Sequence, residues 1–277
     1  MENSNLRVQK LTINLLKVFI EICEKNNLTY YFIGGALIGV LRHKGFIPWD
    51  DDIDVGMPRK DYNKFIEIMH NNKYNDYDIC DRFTDKSWHF AMSQFIDKKS
   101  EIEIDLAKEK RKAHIWIDVF PLDGLPTNNF FRFLRVEHIM FLRYSIQIAN
   151  IEKQVDSHRI RPWYEKFILK MCQLIHIEKI INTDKKIEKL EKVLMKSDFD
   201  TSIYVGNMLG RYREKEVVYK KYFGKPQKAI FEGILVNVPE MSHELQTALY
   251  GNYMELPPEN QRVAHNVKII KGRDEKL

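Results

Sequence analysis

The sequence predicts an α+β fold, an α/β-like core interrupted by a helical insertion. Three observations carry this expectation. Strand, glycine-turn, helix and strand patterns succeed one another over roughly the first 125 residues. From Asn128 to about Leu194 the text turns to long helical patterns rich in Phe, Leu, Ile, Arg and Lys. Strand patterning then returns at "KAIFEGILVNV". The division expected is a catalytic core over residues 1–125, a helical insertion over 126–200, and a C-terminal part over 201–277 that completes the same domain.

The elements follow in order. Leu11, Leu15, Val18, Phe19 and Ile22 recur at helical spacing, so the first helix is amphipathic and ends at Asn26-Asn27. "TYYFIGG" is a short buried strand running into Gly34-Gly35, and "ALIGVLRH" is the helix after it. "IDVGM" is a strand closed by Pro58. "KDYNKFIEIMH" returns to helical period, with Tyr62, Phe65, Ile66 and Met69 on one face. Separate strands are expected at "WHFAMSQF", "EIEIDLA" and "HIWIDVF". Near the end, Glu232-Gly233 suits a hairpin turn, "SHELQTALYG" a short helix stopped by Gly251, and "KGRDEKL" a frayed tail.

Composition narrows the class. With 44% apolar and 12% aromatic residues the chain is globular, and a formal charge of +5 makes it mildly basic. Cys23, Cys80 and Cys172 are odd in number and far apart, which removes a disulfide framework and a thiolate zinc site and fits a reducing cytoplasm. The N-terminus lacks the pattern of a signal peptide, and no run of about 18 apolar residues offers a membrane span.

The stretch "GFIPWDDDIDVGMPR" sets Asp50, Asp51, Asp52 and Asp54 within an apolar, strand-like neighbourhood. On a strand, Asp52 and Asp54 share one face while Ile53 and Val55 turn into the core. Two carboxylates so placed raise each other's pKa unless a cation neutralises them. Hard divalent cations, Mg²⁺ first and Mn²⁺ as the alternative, take carboxylate oxygens together with substrate phosphates. A calcium loop fails here, because its template needs glycine where Val55 stands and glutamate where Asp61 stands. Gly34-Gly35, at a strand-to-helix turn, would let the backbone approach a phosphate. Arg42, His43 and Lys44 are candidate phosphate contacts, each of which singly reads equally as a solvated surface cation. In "WIDVFPLDG", Asp118 lies in an apolar strand, where a third metal ligand, a general base or a buried salt bridge accounts for it. Asp123, beyond Pro121, is expected in a loop or at a helix cap.

"GGALIGVLRHKGFIPWDDDIDVGMPRKDY" closely resembles the signature of the LicD-type phosphocholine transferase family, whose relatives include the fukutin-related ribitol-phosphate transferases. The resemblance continues through "WIDVFPLDG" and "YGNYMELPPENQRVAHN" and leaves the middle of the chain less marked. It implies a nucleotidyltransferase-like fold of the DNA polymerase beta superfamily, a mixed sheet with flanking helices. It implies further that Gly34 and Gly35 form the phosphate-binding turn, that Asp52 and Asp54 are the metal-binding pair, and that Asp118 is the third carboxylate. Ala36 and Asn252 depart from the threonine and aspartate common in the family. Arg262 and His265, after the Pro257-Pro258 turn, enter as candidate contacts to donor or acceptor; read alone, the segment is a docking turn.

The function expected is therefore a Mg²⁺-dependent transfer of phosphocholine, or a related alcohol phosphate, from CDP-choline or another CDP-alcohol to a glycan hydroxyl. The glycan could be lipopolysaccharide, teichoic acid or capsule; no nucleic acid is called for. Two alternatives stay open: transfer of the nucleoside monophosphate itself, and a non-catalytic nucleotide- or glycan-binding protein of this fold. "NNFFRFLRVEHIMFLRYSIQIANI" and "RPWYEKFILKMCQLIHIEKII" carry apolar residues on much of their circumference. A layer buried on the core or at a dimer interface explains them, and so does peripheral contact with the inner membrane face, where a lipid-linked acceptor would lie.

Overall fold

A computed structural model of the chain describes residues 2–71, 74–85, 88–105, 110–150, 181–259, 262 and 267–272. Helix α1 (Glu2–Lys25) is followed by β1 (Tyr31–Phe32), α2 (Gly34–Ile38), which continues as a π-helical turn to His43, β2 (Asp54–Pro58) and α3 (Arg59–Asn71). Then come β3 (Tyr77–Cys80), β4 (Ser93–Asp105) and β5 (Lys110–Leu125), and after them α4 (Asn129–Ala149) and α5 (Thr183–Leu194). The C-terminal part adds β6 (Tyr204–Gly206), β7 (Val218–Tyr219), β8 (Gln227–Phe231), β9 (Ile234–Val238), α6 (Ser242–Tyr250) and β10 (Val267–Lys271).

The sheet is mixed, as an α+β nucleotidyltransferase-like fold requires. Its main path runs β1-β2-β5-β4-β10, with β3 on β4 and with β6 and β7 continuing from β5. Among the described residues only β2 and β5 pair in parallel, in a register that sets Asp54 beside Asp118 and Val55 beside Val119. Strand alternation then sorts the two faces. Val55, Phe95, Ile117 and Val119 turn inward and are fully buried under α1 and α3. There Phe19 meets Tyr30 and Phe65 edge to face at 5.2 and 5.3 Å. Burying each such ring contributes roughly 1.5–3 kcal/mol. Asp54, Asp118 and Gln94 point to the opposite face.

A second apolar cluster joins α4 to α5 through Val136, Ile139, Leu142, Ile187, Leu190 and Leu194, with Leu125 and Met208 from the sheet side. The other side of α4 leaves Phe130, Phe131, Phe133 and Phe141 exposed. The second aromatic stretch read from the sequence, residues 161–181 with Trp163, Phe167 and Ile168, lies outside the described residues except for its last position. Among the described residues no helix is long and apolar enough to cross a membrane.

Three expectations need correction. "SQF" and "EIEID" belong to one strand, β4, because the polar break at Lys98-Lys99-Ser100 is a bulge and not a turn. Ser100 Oγ holds it, donating to Asp97 O at 2.7 Å and accepting from Ile115 N at 2.8 Å. Asp123 is neither in a loop nor a cap: it lies on β5, paired with Gly206, and is 1% exposed. Lys271, first residue of the expected tail, ends β10 opposite Glu101. The hairpin at Glu232-Gly233 is as expected, with φ of 49° and 75° at its two residues.

Candidate active site

The site begins where β1 stops after two residues. Ile33 is extended and Gly34 enters α2 with φ of 57°, a left-handed conformation that glycine adopts without strain. A Cβ on Gly34 would stand 3.0 Å from Asp54 Oδ2, and one on Gly35 would stand 3.0 Å from Asp50 Oδ2. The glycine pair thus lets two carboxylates lie against the backbone of the turn. The fully buried Gln246 of α6 holds the same turn, donating to Gly34 O at 3.1 Å. Gly34→Ala should cost about 1 kcal/mol or more through its positive φ. It should lower turnover beyond that, because the methyl displaces Asp54; a melting curve and a rate measurement separate the two effects.

Asp52, Asp54 and Asp118 each present a carboxylate oxygen within 4.8 Å of the others, and all three are half-buried. Asp54 opens β2, whereas Asp52 lies just before the strand instead of on it. Asp118 reaches the group across the parallel register. Its carboxylate is fixed from two sides, by Gln94 Nε2 at 2.8 Å on Oδ1 and by Trp116 Nε1 at 3.2 Å on Oδ2. Asp51 is buried and stands outside the group of three. Burial above all, and then the charges of Asp52, Asp118 and Asp50, push the Asp54 carboxyl well above its ordinary range. Three clustered carboxylates of this kind are the donor set of a hard divalent cation, which would relieve the repulsion they carry. Residues and metal fit.

Asp50, Asp52 and Asp54 line a cleft of about 460 Å³ together with Gly34, Gly35 and Trp49. A further wall of the cleft comes from Asn207, residues 209–212, Glu216 and Tyr250. Sequence patterns give no sign of this wall, since "RYREKEVVY" has the composition of a solvated charged loop. It is held by Arg143 of α4, which donates to the carbonyls of Met208, Leu209 and Gly210 at 2.8, 3.0 and 2.9 Å. The insertion helix therefore shapes the cleft. Gln94 and Trp116 likewise escape sequence reasoning, although their spacing from Asp118 on alternating strands is the signal that could have found them.

The remaining candidates lie elsewhere. Arg42 donates to Tyr253 O at 2.7 Å and Glu255 O at 3.2 Å, and to His43 Nε2 at 2.8 Å. Lys44 takes φ of 56° and its carbonyl accepts from Glu232 N at 2.9 Å. None of these three lines the cleft. Arg262 sits over Trp49 at 5.2 Å, so it reaches the cleft through that ring. His265 is outside the described residues, and Asn252 is exposed past the end of α6.

Residues 27–147 match the family model described as LicD/FKTN/FKRP, nucleotidyltransferase domain. The chain is 29% identical over 278 aligned positions to the lipopolysaccharide cholinephosphotransferase LicD of Haemophilus influenzae, covering 97% of this chain and 98% of that one. Uncharacterized proteins of Rickettsia prowazekii and Rickettsia typhi are 25% and 31% identical, each over 62% of this chain and over 62% and 52% of their own lengths. The matched segment starts ahead of the glycine turn, runs through both arms of the acidic group and into α4, and over it the chain is similar to the LicD-type nucleotidyltransferase domain.

Proposed function

We propose that this chain is a divalent-metal-dependent phosphotransferase that moves phosphocholine, or a closely related alcohol phosphate, from a CDP-linked donor to a hydroxyl of a cell-surface glycan. The observation that carries the proposal is the Asp52, Asp54 and Asp118 group, whose first two members line the cleft beside Gly34-Gly35. It is supported by full-length similarity to a protein named for cholinephosphate transfer to lipopolysaccharide. A cation bound by the three carboxylates, Mg²⁺ or Mn²⁺, would neutralise charge on the diphosphate. The acceptor hydroxyl attacks the phosphorus bearing the alcohol, and the bond to the bridging oxygen breaks. Cytidine monophosphate leaves with the electron pair, and the hydroxyl proton passes to a carboxylate of the acidic group. Two N–H donors already occupy the oxygens of Asp118, which suits it to orienting a ligand more than to accepting that proton.

The test is a donor panel of CDP-choline, CDP-ethanolamine, CDP-glycerol and CDP-ribitol, with lipopolysaccharide and teichoic acid as acceptors and cytidine monophosphate as readout. Release from CDP-choline that depends on acceptor and stops on chelation is expected. Pyrophosphate release from CTP, with no monophosphate from any CDP-alcohol, would favour transfer of the nucleoside monophosphate and overturn the proposal.

The outer stripe of α4 supports peripheral contact with an anionic bilayer, where Lys186 lies over Phe141 and Arg213 over Tyr144. The protein should bind anionic liposomes at low salt and release them at high salt. Failure to bind at low salt removes membrane contact from the account.

A further inference from the structure

This further wall of the cleft carries a carboxylate that the transfer chemistry does not use. Glu216 packs against the backbone of Gly210, where a Cβ would fall 1.8 Å from Glu216 Oε1. That oxygen accepts from Tyr212 N at 3.1 Å, the only hydrogen bond the carboxylate receives among the described residues. No Lys, Arg or His among them lies within ion-pair distance of it. Arg143, which attracts it, is committed to the three carbonyls of residues 208–210. Burial pushes the Glu216 carboxyl up to about 7. With the attracting guanidinium bound to backbone carbonyls and no ion pair formed, a carboxylate at the wall of an open cleft is costly unless the cleft supplies a cation.

Aromatic rings stand beside it. Tyr212 and Tyr250 meet edge to face, 4.8 Å between centroids and 74° between planes. Tyr250 feels the charges of both Glu216 and Asp54, which raise its hydroxyl pKa further after burial and the neighbouring Tyr212. It therefore spans the interval between the acidic group and Glu216. The hydroxyl end lies 3.8 Å from where a Gly34 Cβ would stand, at the phosphate-binding end of the cleft. The ring end lies toward Tyr212. Arg211, the one cation lining the cleft among the described residues, is exposed.

We infer that Glu216, flanked by Tyr212 and Tyr250, receives the cationic head group of the donor alcohol, a quaternary or primary ammonium, while the acidic group takes its diphosphate. This rests on the CDP-alcohol transfer proposed above. Ring faces attract a cation through their quadrupole, and a carboxylate beside them completes its neutralisation. A neutral polyol would leave Glu216 without a partner, so the wall selects for charge as well as for size.

The test compares two donors of one shape, CDP-choline and CDP-dimethylbutanol, in which carbon replaces the quaternary nitrogen. Binding to the full chain with Mg²⁺ is measured by calorimetry, and KM and kcat by cytidine monophosphate release. Wild type should favour the charged donor by roughly tenfold or more in Kd and KM. Glu216→Gln should remove most of that preference and Glu216→Asp should keep part of it. Tyr250→Leu should weaken the preference, whereas Tyr250→Phe, which keeps the ring, should retain it; this pair decides the matter if the Glu216 variants fail to fold. Equal binding of the two donors by wild type would overturn the inference, as would a preference that survives Glu216→Gln. So would an equal loss of kcat on both donors with a displaced pH profile, which would make Glu216 a proton-transfer group. Charge-selective binding with no monophosphate release from either donor would leave the head-group site standing and defeat the transfer proposal. Efficient release from both donors alike would do the reverse.

Discussion

Asp54→Asn should lower turnover by a factor on the order of 10²–10³ and yet raise the melting temperature of the chelated protein at neutral pH. The first effect follows from removing one of three carboxylates that would hold a cation at the transferring phosphate. The second follows from the direction of the Asp54 shift. Its carboxyl is raised above the ordinary 3.8, by burial first and then by Asp52, Asp118 and Asp50. A group that binds its proton more tightly folded than unfolded contributes stability that is complete below its unfolded pKa. That stability is lost as pH rises toward the folded pKa. Asparagine never carries the charge, so the variant escapes the loss. The gain should disappear when both proteins are melted below pH 3.8, where the carboxylate is protonated in either state. Asp52→Asn and Asp118→Asn should match it in turnover. A chelated Asp54→Asn protein that melts below wild type at neutral pH would contradict the repulsion on which the metal site is argued.

The second large effect lies outside the cleft. Arg59, the first residue of α3, binds Asp123 with both ends of its fork, Nε at 2.7 Å and Nη2 at 2.5 Å, and the two side chains are 13% and 1% exposed. Arg59 also stacks over Tyr62 at 5.2 Å, whose hydroxyl meets Ser93 Oγ at 2.7 Å, so α3 is tied to β4 and β5 through one polar chain. Asp123→Ala leaves the guanidinium buried without its partner and should cost roughly 3–5 kcal/mol of stability. Urea unfolding measures this directly. The double variant Arg59→Met with Asp123→Leu should recover much of the loss, since a well-packed apolar pair of similar volume replaces the ion pair without stranding a charge. A single-variant cost below about 1 kcal/mol would mean that water reaches the pair.

What the sequence made legible were features set by short-range pattern. The alternation in "DIDV" placed Asp54 on the face away from Val55, and the apolar frame of Asp118 announced a strand beside it; the parallel register then needed only to align the two. Pro121 reads as a strand breaker, so the sequence pattern sets Asp123 beyond the end of the strand. In the structure Pro121 stands opposite Met57 in the parallel pairing, and the strand continues past it to reach β6. The cleft wall was invisible for a different reason. Gly210, Tyr212 and Glu216 acquire their place from Arg143, some 65 residues earlier in the chain, whose three hydrogen bonds no local pattern records. In the sequence Arg143 resembles the other arginines of α4. Its burial against the 208–210 carbonyls sets it apart.

If Asp52, Asp54 and Asp118 together hold a divalent cation, equilibrium binding of Mn²⁺, followed by electron paramagnetic resonance, will depend on all three carboxylates. The wild-type chain should bind Mn²⁺ in competition with Mg²⁺, and a protein carrying Asn at all three positions, still folded by its melting transition, should lose that binding. Mn²⁺ bound as tightly by the triple variant as by wild type would contradict the account.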